Sequence, residues 1–232
     1  MKKLITILAI VLLAASSARI IEVADAGITD KLKAVIAARN TPAGGPYVCS
    51  GGTADSVTDT NSPETLMAAG VSGREYFASP YTVDGSDITV CSFEFPNTDG
   101  SVTDTARIFR GSYSGAVTIH MEIRENNASG CGGKDCPGDL IASNSTSAEV
   151  SVQTGLPTTP DGTNVSFAWS SPNYPTLSSG TKYWFTLKVS GEVANYIYWG
   201  ASDTSCAWWY ATTPGSWTEH VNPYCGTFIM KE

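Results

Sequence analysis

The stretch Ala116-Val-Thr-Ile-His-Met-Glu-Ile-Arg124 decides the fold class. Val117, Ile119, Met121 and Ile123 alternate with Thr118, His120, Glu122 and Arg124. Successive side chains of a strand point to opposite faces, so this period of two makes a strand with one buried face. Lys182-Tyr-Trp-Phe-Thr-Leu-Lys-Val189 repeats the pattern, with Tyr183, Phe185, Leu187 and Val189 on one side and Trp184, Thr186 and Lys188 on the other. Further segments read as strands at 75–83, 87–95, 105–110, 140–144, 149–153, 164–170, 195–200, 207–212 and 226–231. Turn pairs such as Asp84-Gly85, Asp161-Gly162 and Ser179-Gly180 separate them. Short strands at this spacing predict an all-β chain, an antiparallel β-sandwich or jelly roll. No period of about 20–50 residues repeats, which excludes a solenoid or propeller.

Composition agrees. Of 232 residues, 42% are hydrophobic, enough for a core, and only 16% are charged. Six Trp and ten Tyr exclude a largely disordered chain, which would be poor in aromatics and rich in charge. The net charge of −8 opposes nucleic-acid binding, which needs Lys and Arg to neutralise phosphates.

Residues 1–18 read as a signal peptide. Lys2 and Lys3 precede the apolar run Leu4 to Ala15, and Ser16-Ser17-Ala18 supplies small residues for cleavage. The run falls short of the ~18 apolar residues that argue a membrane span. An uncleaved anchor is the rival reading. Cleavage after Ala18 removes two lysines and no acid, which moves the net charge from −8 to −10. No stable membrane insertion is expected afterwards, so the expected location is extracellular or at the cell surface. Residues 19–45 read as a short helix and a linker. Ile20, Ile21, Val23, Ile28, Leu32, Val35 and Ile36 recur at helical spacing, and Thr41-Pro42-Ala43-Gly44-Gly45-Pro46 ends the pattern. Residues 46–232 form the predicted β domain.

Six cysteines, an even count behind a signal peptide, predict disulfides. Cys131-Gly-Gly-Lys-Asp-Cys136 is a tight glycine loop whose ends favour each other. Cys206 and Cys225 flank the last aromatic segment, leaving Cys49 with Cys91. A zinc site is not expected, because His120 and His220 sit near neither a CxxC pair nor each other.

The order of features resembles β-sandwich modules of bacterial secreted and cell-surface proteins. The resemblance rests on Val117 to Arg124, Pro137-Gly138-Asp139-Leu140-Ile141-Ala142-Ser143, Pro175 to Leu187 with its Leu-Ser-Ser-Gly-Thr-Lys-Tyr-Trp-Phe core, and Asn195-Tyr196-Ile197-Tyr198-Trp199-Gly200. It covers roughly residues 75–232 and implies a galactose-binding-like jelly roll used as an accessory or surface module. The cysteines and the N-terminal helix are departures from it.

No motif commits the chain to catalysis. Glu94, Glu122, Glu149, Asp203 and Glu219 are candidate carboxylates for glycoside hydrolysis, which needs two of them at a set separation across a cleft. Glu122 shares its strand face with His120 and Arg124, which reads as a solvated polar face. There is no Gly-x-Ser-x-Gly elbow and no phosphate-binding glycine loop. No cofactor is expected. Asp55, Asp59, Asn61 and Glu64 offer oxygen ligands for a structural calcium, but a solvated acidic loop is the favoured reading.

The richest local signal is aromatic: Trp199, Trp208, Trp209, Tyr210, Trp217 and Tyr224. Trp208 and Trp209 are adjacent, so on a strand they face opposite ways. Core filling is the favoured role for the cluster as a whole. The candidate ligand face is Trp208 or Trp209 with Trp217 and Tyr224, supported by Asp203, Glu219 and Asn222. The expected function is a secreted, non-catalytic module for carbohydrate or another cell-surface ligand. The alternatives are a structural or adhesive protein that oligomerises through its N-terminal helix, and a small secreted hydrolase. A non-reducing digest analysed by mass spectrometry is expected to show links 49–91, 131–136 and 206–225. Free thiols at Cys206 and Cys225 would defeat the extracellular-scaffold reading.

Overall fold

The computed structural model of the chain describes residues 48–58, 75–98, 106–111, 117–142, 145–172, 174–190, 197–206, 208–220 and 224–232, with the backbone alone at 203–205 and 224. The predicted signal peptide, helix and linker lie outside the described residues, as does Asn222. The strands are β1 (Thr53–Val57), β2 (Tyr76–Thr82), β3 (Ile88–Thr89), β4 (Ser92–Phe95), β5 (Ile108–Arg110), β6 (Thr118–Cys131), β7 (Lys134–Leu140) and β8 (Val150–Ser151). After a single turn of helix, α1 (Val152–Gly155), follow β9 (Val165–Ala168), β10 (Thr176–Leu177), β11 (Lys182–Ser190), β12 (Ile197–Trp199) and β13 (Ala201–Ser205). The last are β14 (Trp208–Ala211), β15 (Thr218–His220), β16 (Tyr224–Gly226) and β17 (Phe228–Lys231). The chain is thus mainly antiparallel β-sheet, as the alternation predicts.

Two sheets carry the core. A four-stranded sheet runs β1-β17-β4-β9, and a larger one runs β15-β14-β2-β11-β6-β7, with β8 beside β6. Their facing sides share one apolar cluster. Phe77, Tyr81, Ile119, Met121, Ile123, Phe185 and Leu187 come from the larger sheet, and Phe93, Phe95, Phe167, Phe228 and Met230 from the smaller. Phe185 lies 4.7 Å from Phe93, 4.8 Å from Phe228 and 5.0 Å from Tyr81 between ring centroids. Tyr81 also donates its hydroxyl to Asp55 on β1, a polar tie between the sheets. Burial and the Asp55 charge push the Tyr81 phenol far above its ordinary value, so it stays a donor.

All three predicted disulfides are present: Cys49–Cys91, Cys131–Cys136 and Cys206–Cys225. Cys131–Cys136 spans the β6–β7 hairpin. Its two-residue turn is Gly132 and Gly133, at φ +65° and +87°. A type I′ hairpin turn needs positive φ at both central positions, which explains the Gly-Gly pair. That turn corrects the predicted strand at 140–144. The chain folds back at once, so the strand runs earlier, over Lys134–Leu140. Pro137 is tolerated there because, among the described strands, β7 lies at the sheet edge beside β6. The predicted strand 87–95 is split in two. β3 pairs with β10 and β4 with β17 and β9, with Cys91 held by Cys49 at the break. Asp55, named in the calcium reading, accepts from Tyr81 and from the Ser56 amide. The other three oxygen ligands lie outside the described residues.

Phe185 is fully buried at the contact between the sheets. Phe185→Ala is expected to lower the unfolding free energy by about 3–5 kcal/mol. Urea denaturation checks this, and an unchanged midpoint would mean the two sheets do not share this core.

Candidate functional site

The outer face of the larger sheet is laid out by strand register. One row reads His120, Lys188, Tyr76, Ala211, and the next Glu122, Thr186, Ala78, Trp209, Glu219. The third reads Arg124, Trp184, Pro80. Trp208 pairs with His220 and faces the other way, into the core, where its ring lies 4.3 Å from the His220 ring. The adjacency of Trp208 and Trp209 therefore splits them between faces as the sequence predicts, and Trp209 is the one on the outer face.

That face is not bare. Tyr76, Ala78, Trp184, Trp209, Ala211, Trp217 and Cys136 form a second apolar cluster on it. Trp217, beyond the Pro214-Gly215 turn, packs edge-on against Tyr76 at 6.1 Å. Beside this cluster His120, Glu122 and Arg124 are buried rather than solvated. Glu122 accepts from His120 Nε2 at 3.2 Å and from Arg124 Nε at 3.0 Å and Nη2 at 2.5 Å, with Lys188 Nζ 3.9 Å away. The Arg124 guanidinium lies 5.8 Å from the Tyr76 ring centroid and 6.0 Å from that of Trp217, within cation–π range. Burial alone would raise the Glu122 carboxyl. The His120 hydrogen bond and the Arg124 charge outweigh it and hold the group below its ordinary value. A carboxyl held ionised is poorly suited to act as a general acid. Glu122 and Glu219 are also four strands apart, roughly 19 Å at the usual strand spacing. That is well beyond the ~5–9.5 Å of a glycosidase pair.

Among the described residues, two clefts beside this face stand out. The larger, about 770 Å³, lies at the end of the sheet against the β10–β11 turn. Tyr174, Pro175, Glu125, Asn126, Thr181 and Lys182 are among its walls. The smaller, about 460 Å³, is lined by Pro80, Trp184, Trp209, Lys134, Asp135, Lys182, Cys206 and Glu219. It forms where β14 leaves β2, since their pairing stops at Trp209 and Ala78 while β2 runs on to Pro80. Lys182 lines both clefts. Its Nζ is 3.0 Å from Asp135 and 5.1 Å from the Trp184 ring centroid. Hydrogen bonding and charge from Lys182 hold the Asp135 carboxyl below its ordinary value. Lys134 pairs with Glu219 over the other end of the groove. Trp184 Nε1 donates to Asn126 Oδ1 at 2.9 Å, which joins the floor of one cleft to the wall of the other.

Of the residues predicted for the ligand face, the structure brings Trp209 and Glu219 into one groove. Trp217 is on the same sheet face but buried against Tyr76 and Arg124, and Trp208 is in the core. Asp203 lies on β13 and Tyr224 on β16, strands that pair with each other and carry the Cys206–Cys225 disulfide at their edge. Tyr174, Lys182, Lys134 and Asp135 carry no sequence signal of their own and join the site through pairing alone. Among the described residues no group of three or more His, Cys, Asp or Glu is placed to hold a metal ion. No family model, no curated protein and no solved structure matches the chain.

Trp217→Ala is expected to cost about 3 kcal/mol of stability, because the ring is a buried lid on Tyr76 and Arg124. An unchanged denaturation midpoint would make it a free surface ring. The Glu122 carboxyl contributes a pH dependence. Its native value lies below the ordinary 4.5, so its stabilisation is complete above about pH 4.5 and is lost as pH falls through the native value. Melting temperature measured from pH 7 to 3 is expected to fall below about pH 4.5, and less steeply in Glu122→Gln.

Proposed function

We propose that the chain is a secreted, non-catalytic, jelly-roll-like β-sandwich that binds an extended carbohydrate along the track made by its two clefts. The observation that carries this reading is that the clefts adjoin at Lys182, which lines both. A chain-like ligand can therefore run from one to the other. The larger combines aromatic surface with polar side chains, while the smaller has polar walls over the buried rings of Trp184 and Trp209. The larger has half-buried Tyr174 next to Pro175, with Glu125, Asn126, Thr176 and Thr181 around them. A pyranose needs this pairing, since its C–H face is apolar and its edge carries hydroxyls. Concave sites of this size with a few convergent polar groups are the usual location of small-molecule binding. Three disulfides are compatible with an extracellular setting. No helix among the described residues is long and apolar enough to cross a membrane.

A glycan array and polysaccharide pull-down test the reading. Wild type is expected to be retained on at least one neutral polysaccharide. A weak site of ~1 mM corresponds to only about −4 kcal/mol, so losing one contact can abolish retention. Glu125→Ala, an exposed position, and Tyr174→Ala are each expected to weaken binding at least tenfold while the fold, followed by circular dichroism, persists. Retention untouched by both changes, or no retention on any glycan, would refute the assignment.

A further inference from the structure

We infer that the larger cleft selects amino sugars, with the Glu125 carboxylate taking the ammonium of a sugar whose ring lies against Tyr174. This rests on the carbohydrate reading above and deepens it by naming the class of sugar.

The first observation is a carboxylate without a cation. Three carboxylates line the two clefts, Glu125 in the larger and Asp135 and Glu219 in the smaller. Lys182 holds Asp135, and Lys134 holds Glu219. Among the described residues none forms an ion pair with Glu125 or donates a hydrogen bond to its carboxylate. Water solvates an exposed carboxylate well, so the bare charge is no defect of the fold. What sets Glu125 apart from the other two is that its charge is still open to a ligand.

The second observation is that the lysine in the wall of this cleft is turned away from Glu125. Glu125 stands directly opposite Tyr183 on β11, so the two leave the sheet on the same side. Tyr183 belongs to the core between the sheets. Lys182 is its neighbour in sequence and leaves by the other side. There its Nζ lies 3.0 Å from Asp135 and 5.1 Å from the Trp184 ring centroid. The positive charge of the cleft is therefore matched on one side of the sheet, and the negative charge of Glu125 is unmatched on the other.

The third is what surrounds that charge. Half-buried Tyr174 lines the same cleft. An aromatic face attracts the C–H face of a pyranose and also a cation within about 6 Å. A hydroxyl of a neutral sugar can donate to Glu125, but an ammonium donates and brings charge as well, which makes the stronger contact. The whole chain acts in the same sense. It has 22 acidic residues against 14 basic ones and a net charge of −8, a field that draws a cationic polymer and repels a polymer of uronic acids.

The test uses the full chain at mildly acidic pH, where a sugar amine is an ammonium. Titrations compare chitohexaose with N-acetylchitohexaose, and an α-1,4-linked galactosamine hexamer with its N-acetylated form. An accessible ion pair is worth up to about fivefold in affinity, so at least one amino form is expected to bind about fivefold tighter than its acetylated twin. The preference is expected to vanish in about 1 M NaCl, where charges are screened beyond roughly 3 Å. Glu125→Gln keeps an acceptor oxygen and loses the charge, so it should bind both forms alike. Glu75→Gln makes the same change of charge beside Tyr76, at the far end of β11 from Lys182, and should keep the preference. Hexalysine, which has the charge without the ring, should not compete at equal concentration. No preference for either amino form overturns the selection, and the carbohydrate reading then stands if Glu125→Ala still abolishes retention on a neutral polysaccharide. A preference that survives Glu125→Gln, or falls equally in Glu75→Gln, overturns the role of Glu125. Competition by hexalysine overturns the sugar class in favour of a basic peptide. No binding of any glycan overturns both readings.

Discussion

The packing of Phe185 against Tyr81, Phe93 and Phe228 is the contact on which the rest of the molecule depends. It joins the two sheets through β11, which lies between β2 and β6. Side chains alternate along a strand, so fixing Phe185 inward fixes Trp184 and Thr186 outward. A slip of one residue would carry the cleft residues into the core and the core residues into water. The site is therefore held in place by an aromatic contact on the opposite side of the sheet.

Antiparallel sheets commonly leave one face to water. Here the outer face has a second layer, and it holds two kinds of ion pair. Glu122 with Arg124 and His120 is buried, hydrogen-bonded and roofed by Tyr76 and Trp217. Removing one partner of such a group strands a charge away from water, so the cluster resists change. Lys134–Glu219 and Lys182–Asp135 are exposed and resist little. The buried pairs thus lie at the centre of the face and the exposed pairs at the edge where the clefts lie.

How much of this was legible from residues follows from how local each feature is. The alternation in β6 and β11 is local, and so is the Cys131–Cys136 pair, and both appear where the sequence places them. The shared face of His120, Glu122 and Arg124 was also legible. Its burial was not, because Trp217 and Tyr76, which roof it, lie far away in sequence and arrive only through strand pairing. The same holds for the clefts. Glu125, Tyr174 and Lys182 meet where β6 and β11 run side by side, and Lys134 and Glu219 are 85 residues apart. The aromatic density near the C-terminal side pointed to the right face through Trp209, yet most of its rings serve packing. Trp199, for example, lies so close to Gly226 that a Cβ there would fall 2.5 Å from the ring.

β17 occupies an interior place in the four-stranded sheet, between β1 and β4. β1 and β4 are therefore joined by backbone pairing only through β17, although the Cys49–Cys91 disulfide links the residues just ahead of each. Thr53 pairs with Lys231 across most of the described chain. Separations this large close slowly, and chains dominated by them fold on the millisecond-to-second scale. As the polypeptide is synthesised, β4 can pair with β9 and β2 with β11, whereas β1 waits for β17. A chain with that order of assembly keeps β1 threadable until β17 is available.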